Sequence, residues 1–521
     1  MCSRSLLLAF LCALACTFTR GARAEDEPES PIEKLDEKPK IDKGLQPDPE
    51  DTQPEKLDED EGEPIPKKEL PKDGEALRPA LPFLERDLVQ PRSSPGGRAA
   101  AQIGFASIDE DFFLELCIGA VFTTGKWRIA PRLPLRFRII DEDPETEAII
   151  RMEDWDEVSD WARLLAYVQY GAWGEDLILR YGELNGVTLG HGSLVNRYFN
   201  TIDIDHYQGG IYFYGDLGLV GGEAVLNDVF GPDMLGGRAF VRPFDWMKDG
   251  PLPIRGLKLA ATAAFDFAAP LAVDVGEDGL FPTPENEPVV LADSFFWMAG
   301  LDLELPIVSR PHLDVVPYVD VASLEMETFG LHVGSMFNIR FNPKSSLRIR
   351  AEYRFVGEDH VPGYVSPFYE IERYAWLGGE PKLAQLRAFD ADEGLGDPHH
   401  GVHLETDLRI DNVFHWSFIF TTNGRERHND LLTRFRFPHL GPVRLTLFFA
   451  RLGFDDLGDL FDGFFSAERT LSGISLRVSF GDFFVRGRIL HEWRLRADEH
   501  GQTGYQTILN WDLSGGLIIN L

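Results

Sequence analysis

The sequence predicts an all-β fold: a transmembrane antiparallel β-barrel of about 16 strands, preceded by a disordered, acidic, proline-rich segment. Three observations predict it. Apolar and charged side chains alternate with a period of two along many short segments, an export-type leader stands at the start, and no later apolar run is long enough for a membrane helix. The alternation is cleanest in Leu347-Arg348-Ile349-Arg350-Ala351-Glu352-Tyr353-Arg354-Phe355, where every odd position is apolar and every even one charged. Successive side chains of an extended strand point to opposite faces, so this segment has one greasy face and one charged face. A soluble sheet puts its greasy face inside. Repeated many times behind an export signal, the inverted arrangement is expected: apolar faces toward lipid and charged faces toward the lumen of a closed barrel.

The leader comes first in the chain. Arg4 gives a short basic region, residues 6–18 an apolar core, and Ala22-Arg23-Ala24 a small-x-small cleavage site, so residues 1–24 are expected to be a signal peptide cut after Ala24. Lipoprotein processing at Cys16, after Ala13-Leu14-Ala15, is the less favoured alternative, because a large aliphatic residue is missing from its first position. The apolar core falls short of the ~20 residues of a spanning helix. With no longer run elsewhere, membrane insertion requires a barrel, since only helices and closed sheets satisfy every backbone polar group in lipid.

Of four cysteines, Cys2, Cys12 and Cys16 lie in the leader, which leaves Cys117. No intrachain disulfide and no cysteine zinc site is expected. A net charge of -34 argues against a nucleic-acid partner. It suits divalent cations at acidic loops, or basic partners. Residues 25–97 are rich in Glu, Asp, Lys and Pro and nearly devoid of aromatics. Such a segment cannot bury enough apolar surface to offset its ordering entropy and is expected to be disordered. It would act as a tether in the periplasm or dock a periplasmic or envelope protein.

From residue 98 to 521 the strand signals follow one another. Residues 132–139 alternate cleanly. Residues 295–307 set Phe295, Trp297, Leu301, Leu303 and Leu305 against Asp302 and Glu304. Residues 402–410 set His403, Glu405, Asp407 and Arg409 against Val402, Leu404, Leu408 and Ile410. Residues 474–480 and 483–495 form a neighbouring pair, and 505–521 alternate to the end. Roughly 14–18 such segments fit, and ~26 residues per strand with its connection gives about 16, an even number as bacterial barrels have. A short helix is predicted over 157–166, with Val158, Trp161, Leu164 and Leu165 on one face. Acid concentrates in residues 141–160, 274–287, 390–397 and 455–462, which read as long outer loops. No repeat of the solenoid or propeller kind is present.

The alternating segments, the aromatics near strand ends (Trp127, Trp173, Tyr207, Trp297, Tyr318, Trp416, Trp493) and a last strand carrying Leu513, Leu517, Ile519 and Leu521 in one phase resemble the Gram-negative outer-membrane β-barrel proteins, including porins. That class usually ends in Phe or Trp, where Leu521 stands here. The resemblance implies residence in the cell outer membrane, contact with its lipid, insertion by the barrel-assembly machinery, and porin-like passage of small polar solutes. The alternatives are a non-conducting barrel that scaffolds an envelope protein complex, and an outer-membrane enzyme that modifies lipid or glycan.

Two groups of residues are candidates for the lumen. Arg136, Arg138, Arg348, Arg350, Glu352, Arg354, Glu405, Asp407, Arg486 and Arg488 fall in the charged phase of their strands. Fixed guanidinium donors would favour anions, whereas pairing with the inward acids would make a structural network. The glycine-rich run 181–196 lacks the lysine of a P-loop and the third glycine of a dinucleotide fingerprint. It reads as a strand, an Asn-Gly turn at 185–186 and a close backbone approach. Asn185, His191, Asn196, Asp203 and Asp205 are the candidates for an inward-folded constriction loop. His400 and His403 are three apart at a strand mouth and turn to opposite faces, so they do not pair as metal ligands. No Gly-x-Ser-x-Gly context exists. No catalytic residue, metal ligand or cofactor is assigned.

Overall fold

The computed structural model describes residues 96–521, except 109–110, 141–148, 202–206, 248, 275–288, 375, 377–379, 389–397, 424–428, 456–457, 459–469 and 498–502, and without the side chains of 153, 492–497 and 503–508. The leader, nearly all of the acidic segment, Asp203, Asp205 and most of the acidic loops lie outside the described residues.

The strands in chain order are β1 (Gly96–Ile108), β2 (Asp111–Thr124), β3 (Trp127–Ile140), β4 (Leu165–Tyr170), β5 (Leu177–Gly182), β6 (Asn185–Val187), β7 (Tyr198–Phe199), β8 (Gly210–Asp216), β9 (Val220–Leu226), β10 (Met234–Val241), β11 (Lys258–Asp274), β12 (Val289–Glu304), β13 (Val308–Arg310), β14 (Leu313–Leu324), β15 (Thr328–Asn342), β16 (Ser345–Val356), β17 (His399–Ile410), β18 (Phe414–Thr422), β19 (Asn429–Leu440), β20 (Val443–Phe454), β21 (Thr470–Phe480), β22 (Phe483–Ala497) and β23 (Thr503–Asn520). All but β6 and β7 form one antiparallel sheet of 21 strand elements. β23 pairs with β1, from Arg98 opposite Asn520 to Ser107 opposite Trp511, which closes the ring. β12 and β13 both pair with β14 and are two pieces of one strand, interrupted at Leu305-Pro306-Ile307.

The barrel therefore has 20 strands, not about 16. Two features account for the difference. Several connections are only two residues long, such as Gly125-Lys126, Pro343-Lys344, Gly441-Pro442 and Gly481-Asp482, so a strand with its connection takes about 21 residues. The other feature is composition. β9 (VGGEAVL), β10 (MLGGRAFV) and the alanine-rich β11 alternate between small residues, and a charge-based period does not register there.

Burial along the strands is inverted relative to a soluble sheet. On β16, Arg350, Glu352 and Arg354 are 0, 4 and 2 % exposed while Tyr353 is 47 % exposed. On β12, Leu301 is 68 % exposed and Asp302 6 %. Apolar side chains face outward around the ring and ionic ones face the lumen. Among the described residues no helix is long and apolar enough to cross a membrane, and Cys117 is a free, half-buried thiol.

Strand alternation gives the barrel two ends. The start of β1, the end of β23 and the two-residue turns Gly125-Lys126, Pro343-Lys344, Gly441-Pro442 and Gly481-Asp482 share one, the turn end. The other end carries both long excursions, residues 183–209 between β5 and β8 and residues 357–398 between β16 and β17. These are the two inserts. Two further expectations are corrected here. Residues 157–166 are not an amphipathic α-helix but a tight 3₁₀ stretch, Ser159–Leu164, that leads into β4, with Val158 and Trp161 exposed. The Asn185-Gly186 pair is not a hairpin turn. Gly186 sits at positive φ in a bulged β6 that pairs with β7, and the chain reverses further on, through Gly190 (φ +55°) and Gly192 (φ +78°). The apolar residues of the insert favoured pairing β6 with β7 over a tight turn.

Candidate functional site

The two inserts meet inside the barrel. Val195 and Val365 form a parallel bridge. The Asn196 N–H donates to the Val365 carbonyl at 2.9 Å, Val365 N–H to Leu194 at 3.0 Å, and Gly363 N–H to Ser193 at 2.7 Å. Leu184, Leu189, Leu194 and Tyr198 of the first insert share one buried cluster with Tyr364, Tyr369 and Trp376 of the second and with wall residues Tyr212, Met234, Phe296 and Met298. Phe199 and Phe368 reach a different sector of the wall, where they pack with Ile419, Leu432, Phe448 and Leu452. The joined inserts thus span the lumen between β8–β14 and β18–β21. Apolar burial holds them there, at roughly 25 cal/mol per Å² removed from water.

A network of wall ion pairs lies under the first insert and holds it through Arg197, the His191 carbonyl and the His191 ring. Arg238 of β10 grips Asp302 through Nε at 3.0 Å and Nη2 at 2.7 Å, and also reaches Glu304 at 3.1 Å and Glu223 at 3.3 Å. Lys258 of β11 donates to Glu304 at 2.6 Å. Gly190 passes directly over Arg238; a Cβ there would sit 2.9 Å from Nε. His191 stacks on Tyr318 of β14, with centroids 3.8 Å apart and planes 4° apart. Arg350 donates to the His191 carbonyl, contacts His403 and pairs with Glu405 at 3.3 Å. Arg197, at φ +55°, pairs with the same Glu405.

The second insert is tied by its own set. Glu370, in the helical turn Tyr369–Glu372, accepts from the Tyr198 hydroxyl and from Gln208 Nε2 at 3.2 Å. Tyr369 donates to Asp266, and Arg373 donates to Asp233 at 2.8 Å and Asp266 at 3.1 Å. Lys382, in the helix Lys382–Ala388, donates to Glu372 at 2.6 Å. Near the insert end His360 meets Thr328 Oγ1 at 3.3 Å. Burial, and then His332 and the Arg354 guanidinium beside it, hold the His360 imidazole well below its ordinary value. The Arg373–Asp266 and Lys382–Glu372 pairs are desolvated, so removal of one partner costs a buried charge one of its counterions.

The residues singled out in the sequence fall as follows. Arg350, Glu352, Arg354, Glu405, Asp407 and Arg486 are buried on inward strand positions; Arg136, Arg138, Arg348 and Arg488 are half-buried. Arg136 pairs with Glu115 at 3.0 Å and Asp154 at 2.6 Å, Arg138 with Asp111 at 2.9 Å, and Arg486 and Arg488 both with Asp512. Arg348 stands opposite Asp407 across the β16–β17 pair. Glu352 accepts from Tyr318 at 2.5 Å and meets His332 Nδ1 at 3.0 Å. Asn185, His191 and Asn196 lie in the first insert, His191 buried and the other two half-buried. His400 is exposed beside Tyr353 on the outer face, and His403 is buried on the inner one.

Sequence reasoning missed the second insert entirely, together with Arg197, Arg238 and Asp320. The signal for the insert was a run dense in Tyr, Trp and Pro (residues 361–381) inside what read as a polar connection. His191, Asp302 and Asp320 each offer a ligand atom, all within 4.8 Å of one another.

No known family model matches this chain, and no curated protein matches it. Among solved structures it is similar to Pseudomonas aeruginosa OccK2 (OpdF), crystallised with glucuronate, at 11% identity, 82% of this chain, 98% of that chain and a TM-score of 0.32. It is also similar to the P. aeruginosa outer membrane protein opdK, at 8% identity, 82% and 99% coverage and a TM-score of 0.29. A third is Wzi, a carbohydrate-binding barrel involved in Escherichia coli group 1 capsule assembly, at 10% identity, 82% and 84% coverage and a TM-score of 0.33. The barrel described here rests on its own strand pairing.

Proposed function

We propose that this chain is an outer-membrane barrel that passes small polar solutes through a lumen narrowed by its two inserts. The observation that carries the reading is the burial inversion on a closed ring: a strand such as β16 hides Arg350 and Arg354 and exposes Tyr353 and Phe355. Only lipid makes that arrangement favourable all the way round, since water would leave a large apolar belt exposed. Trp127, Trp173 and Trp246, all at the turn end, are exposed where an interfacial aromatic girdle is expected. A second reading, a non-conducting scaffold, is favoured by how completely the inserts and their partners are buried.

Single-channel recording of the full chain in planar bilayers separates the two. Discrete conductance steps in the wild type, enlarged when residues 363–388 are replaced by a short Gly-Ser linker, support solute passage. A silent wild type with a conducting deletion supports the scaffold reading. Silence in both overturns a transmembrane lumen. Recovery of the native protein in a soluble fraction without detergent would overturn the membrane reading itself.

A further inference from the structure

We propose that His191, Asp302 and Asp320 form a divalent-cation site that pins the first insert to the barrel wall. Asp302 of β12 and Asp320 of β14 stand directly opposite each other in the antiparallel register, and both are buried. Like charges directly opposite destabilise a strand pair, and desolvation makes them costlier. A cation between them removes that cost.

The imidazole supplies the third donor. His191 Nδ1 lies 3.8 Å from Asp302 Oδ1 and 3.6 Å from Asp320 Oδ2. These gaps are too long for hydrogen bonds, and neither ring nitrogen of this buried histidine makes one. A metal with bonds of about 2.0–2.2 Å holds neighbouring ligand atoms roughly 3–3.5 Å apart, so the two Nδ1 gaps lie a few tenths of an ångström outside that range, and the two aspartate oxygens, within 4.8 Å of each other, must also draw together on the ion. The ring is aimed rather than free: Tyr318 stacks flat beneath it, and Arg350 holds its carbonyl. Its other nitrogen, Nε2, lies 3.3 Å from Glu304 Oε1. Glu304 is therefore placed to accept from Nε2–H once Nδ1 turns onto a metal, the outer hydrogen bond that fixes ring orientation at metal centres.

The charge count agrees. Asp302, Asp320, Glu304 and Glu223 are four carboxylates, and Arg238 and Lys258 are the two cations paired among them. Four carboxylates thus converge on two cations and the His191 ring. Glu352, which Tyr318 also reaches, has Arg354 and His332 as its own partners. Arg238 already donates to Asp302 Oδ1, but a carboxylate oxygen has a second lone pair for a metal. One imidazole with two carboxylates suits zinc, cobalt, manganese or iron(II) better than calcium or magnesium, which take oxygen ligands alone. The site does not depend on whether the lumen conducts.

The test is a cobalt(II) titration of the full detergent-purified chain after chelator treatment, read by visible absorption and by calorimetry. One saturable, nitrogen-coordinated site per chain is expected, at micromolar or tighter affinity. It should be lost in both His191→Gln and Asp320→Asn, while weaker binding at the acidic loops persists. Heat-modifiable gel migration checks that each variant is folded. Unchanged binding in folded His191→Gln overturns the assignment. If neither variant assembles, the wild type still decides: no saturable nitrogen-coordinated site means that a protonated His191 alone balances the two aspartates.

Discussion

The two ends of the lumen hold the same side chains in different surroundings. On β16 and β17, Arg354, Arg350 and Glu405 at the insert end are nearly inaccessible, while Arg348 toward the turns is half-buried and the Arg409 side chain is 39% exposed. β15 repeats the gradient, from His332 at the insert end to Arg340, 41% exposed beside Asp314. All of these point inward. On β15 to β17 the difference is the inserts, which cover the inward residues nearest them and leave Arg409 and Arg340 more exposed. On these three strands an inward arginine near the inserts is a structural ion and one near the turns is a more exposed lumen charge, whereas Lys258, Arg477 and Arg486, near the turns of other strands, are buried as well.

The largest expected effect comes from a matched pair of truncations. Glu405→Ala removes the buried carboxylate that Arg350 and Arg197 share, and should cost about 3–5 kcal/mol, as removal of one partner from a buried pair does. Arg409→Ala acts on a pair with one exposed member and should cost about 0–1 kcal/mol. Denaturant titration of the folded, heat-modifiable form measures both. Equal costs would mean that the inserts do not shield Glu405 from water.

The outer face has no such axial contrast. Ile349→Arg places a charge on it beside the buried Arg350, and should cost about 2–4 kcal/mol if the site lies near the bilayer midplane. A negligible cost, measured by the same titration in lipid vesicles, would show that β16 does not face hydrocarbon.

Legibility in the sequence divides along the same line. The wall is a periodic object, and Leu347 to Phe355 displays its two faces because apolar and charged residues take turns. β9 to β11 obey the same geometry with Gly and Ala, which carry no contrast, so strands were lost from the count. His191 and Asn196 could be suspected of lying in an inward loop because glycine clusters mark close approach. The inserts themselves have no period. Leu189, Val195, Tyr364 and Tyr369 are held by each other and by distant wall strands, and such contacts leave no local trace. The opposition of Asp302 and Asp320 is a matter of register between β12 and β14, which spacing along the chain does not reveal.

A second matched pair isolates the contact from the backbone. Gly190 and Gly441 both sit in the left-handed region, at φ +55° and φ +63°. A Cβ at Gly441 meets nothing within 4 Å, whereas one at Gly190 lies 2.9 Å from Arg238 Nε. Gly441→Ala should cost only the backbone strain, about 1–2 kcal/mol. Gly190→Ala should cost more, because Arg238 must shift from Asp302, and it should raise protease cleavage in residues 183–209. Identical costs would show that the insert does not press on the wall there.

The smallest effect expected is on acid sensitivity. His360 is held neutral by burial and by the groups that face it: His332 from β15, the Arg354 guanidinium from β16 and His399 from β17, with Thr328 hydrogen-bonded to its Nδ1. Its value in the folded insert lies below the ordinary one of about 6.5. Between those two values an opened insert takes up a proton that the closed one refuses. The stability His360 contributes is thus present above the ordinary value and falls as pH drops through it. Hydrogen exchange of residues 358–368 at pH 7.5 and pH 5.5, corrected for intrinsic rates, should show loss of protection at the lower pH while the turn-end strands hold theirs. His360→Asn should flatten that dependence. A variant as acid-sensitive as the wild type would assign the effect to another group.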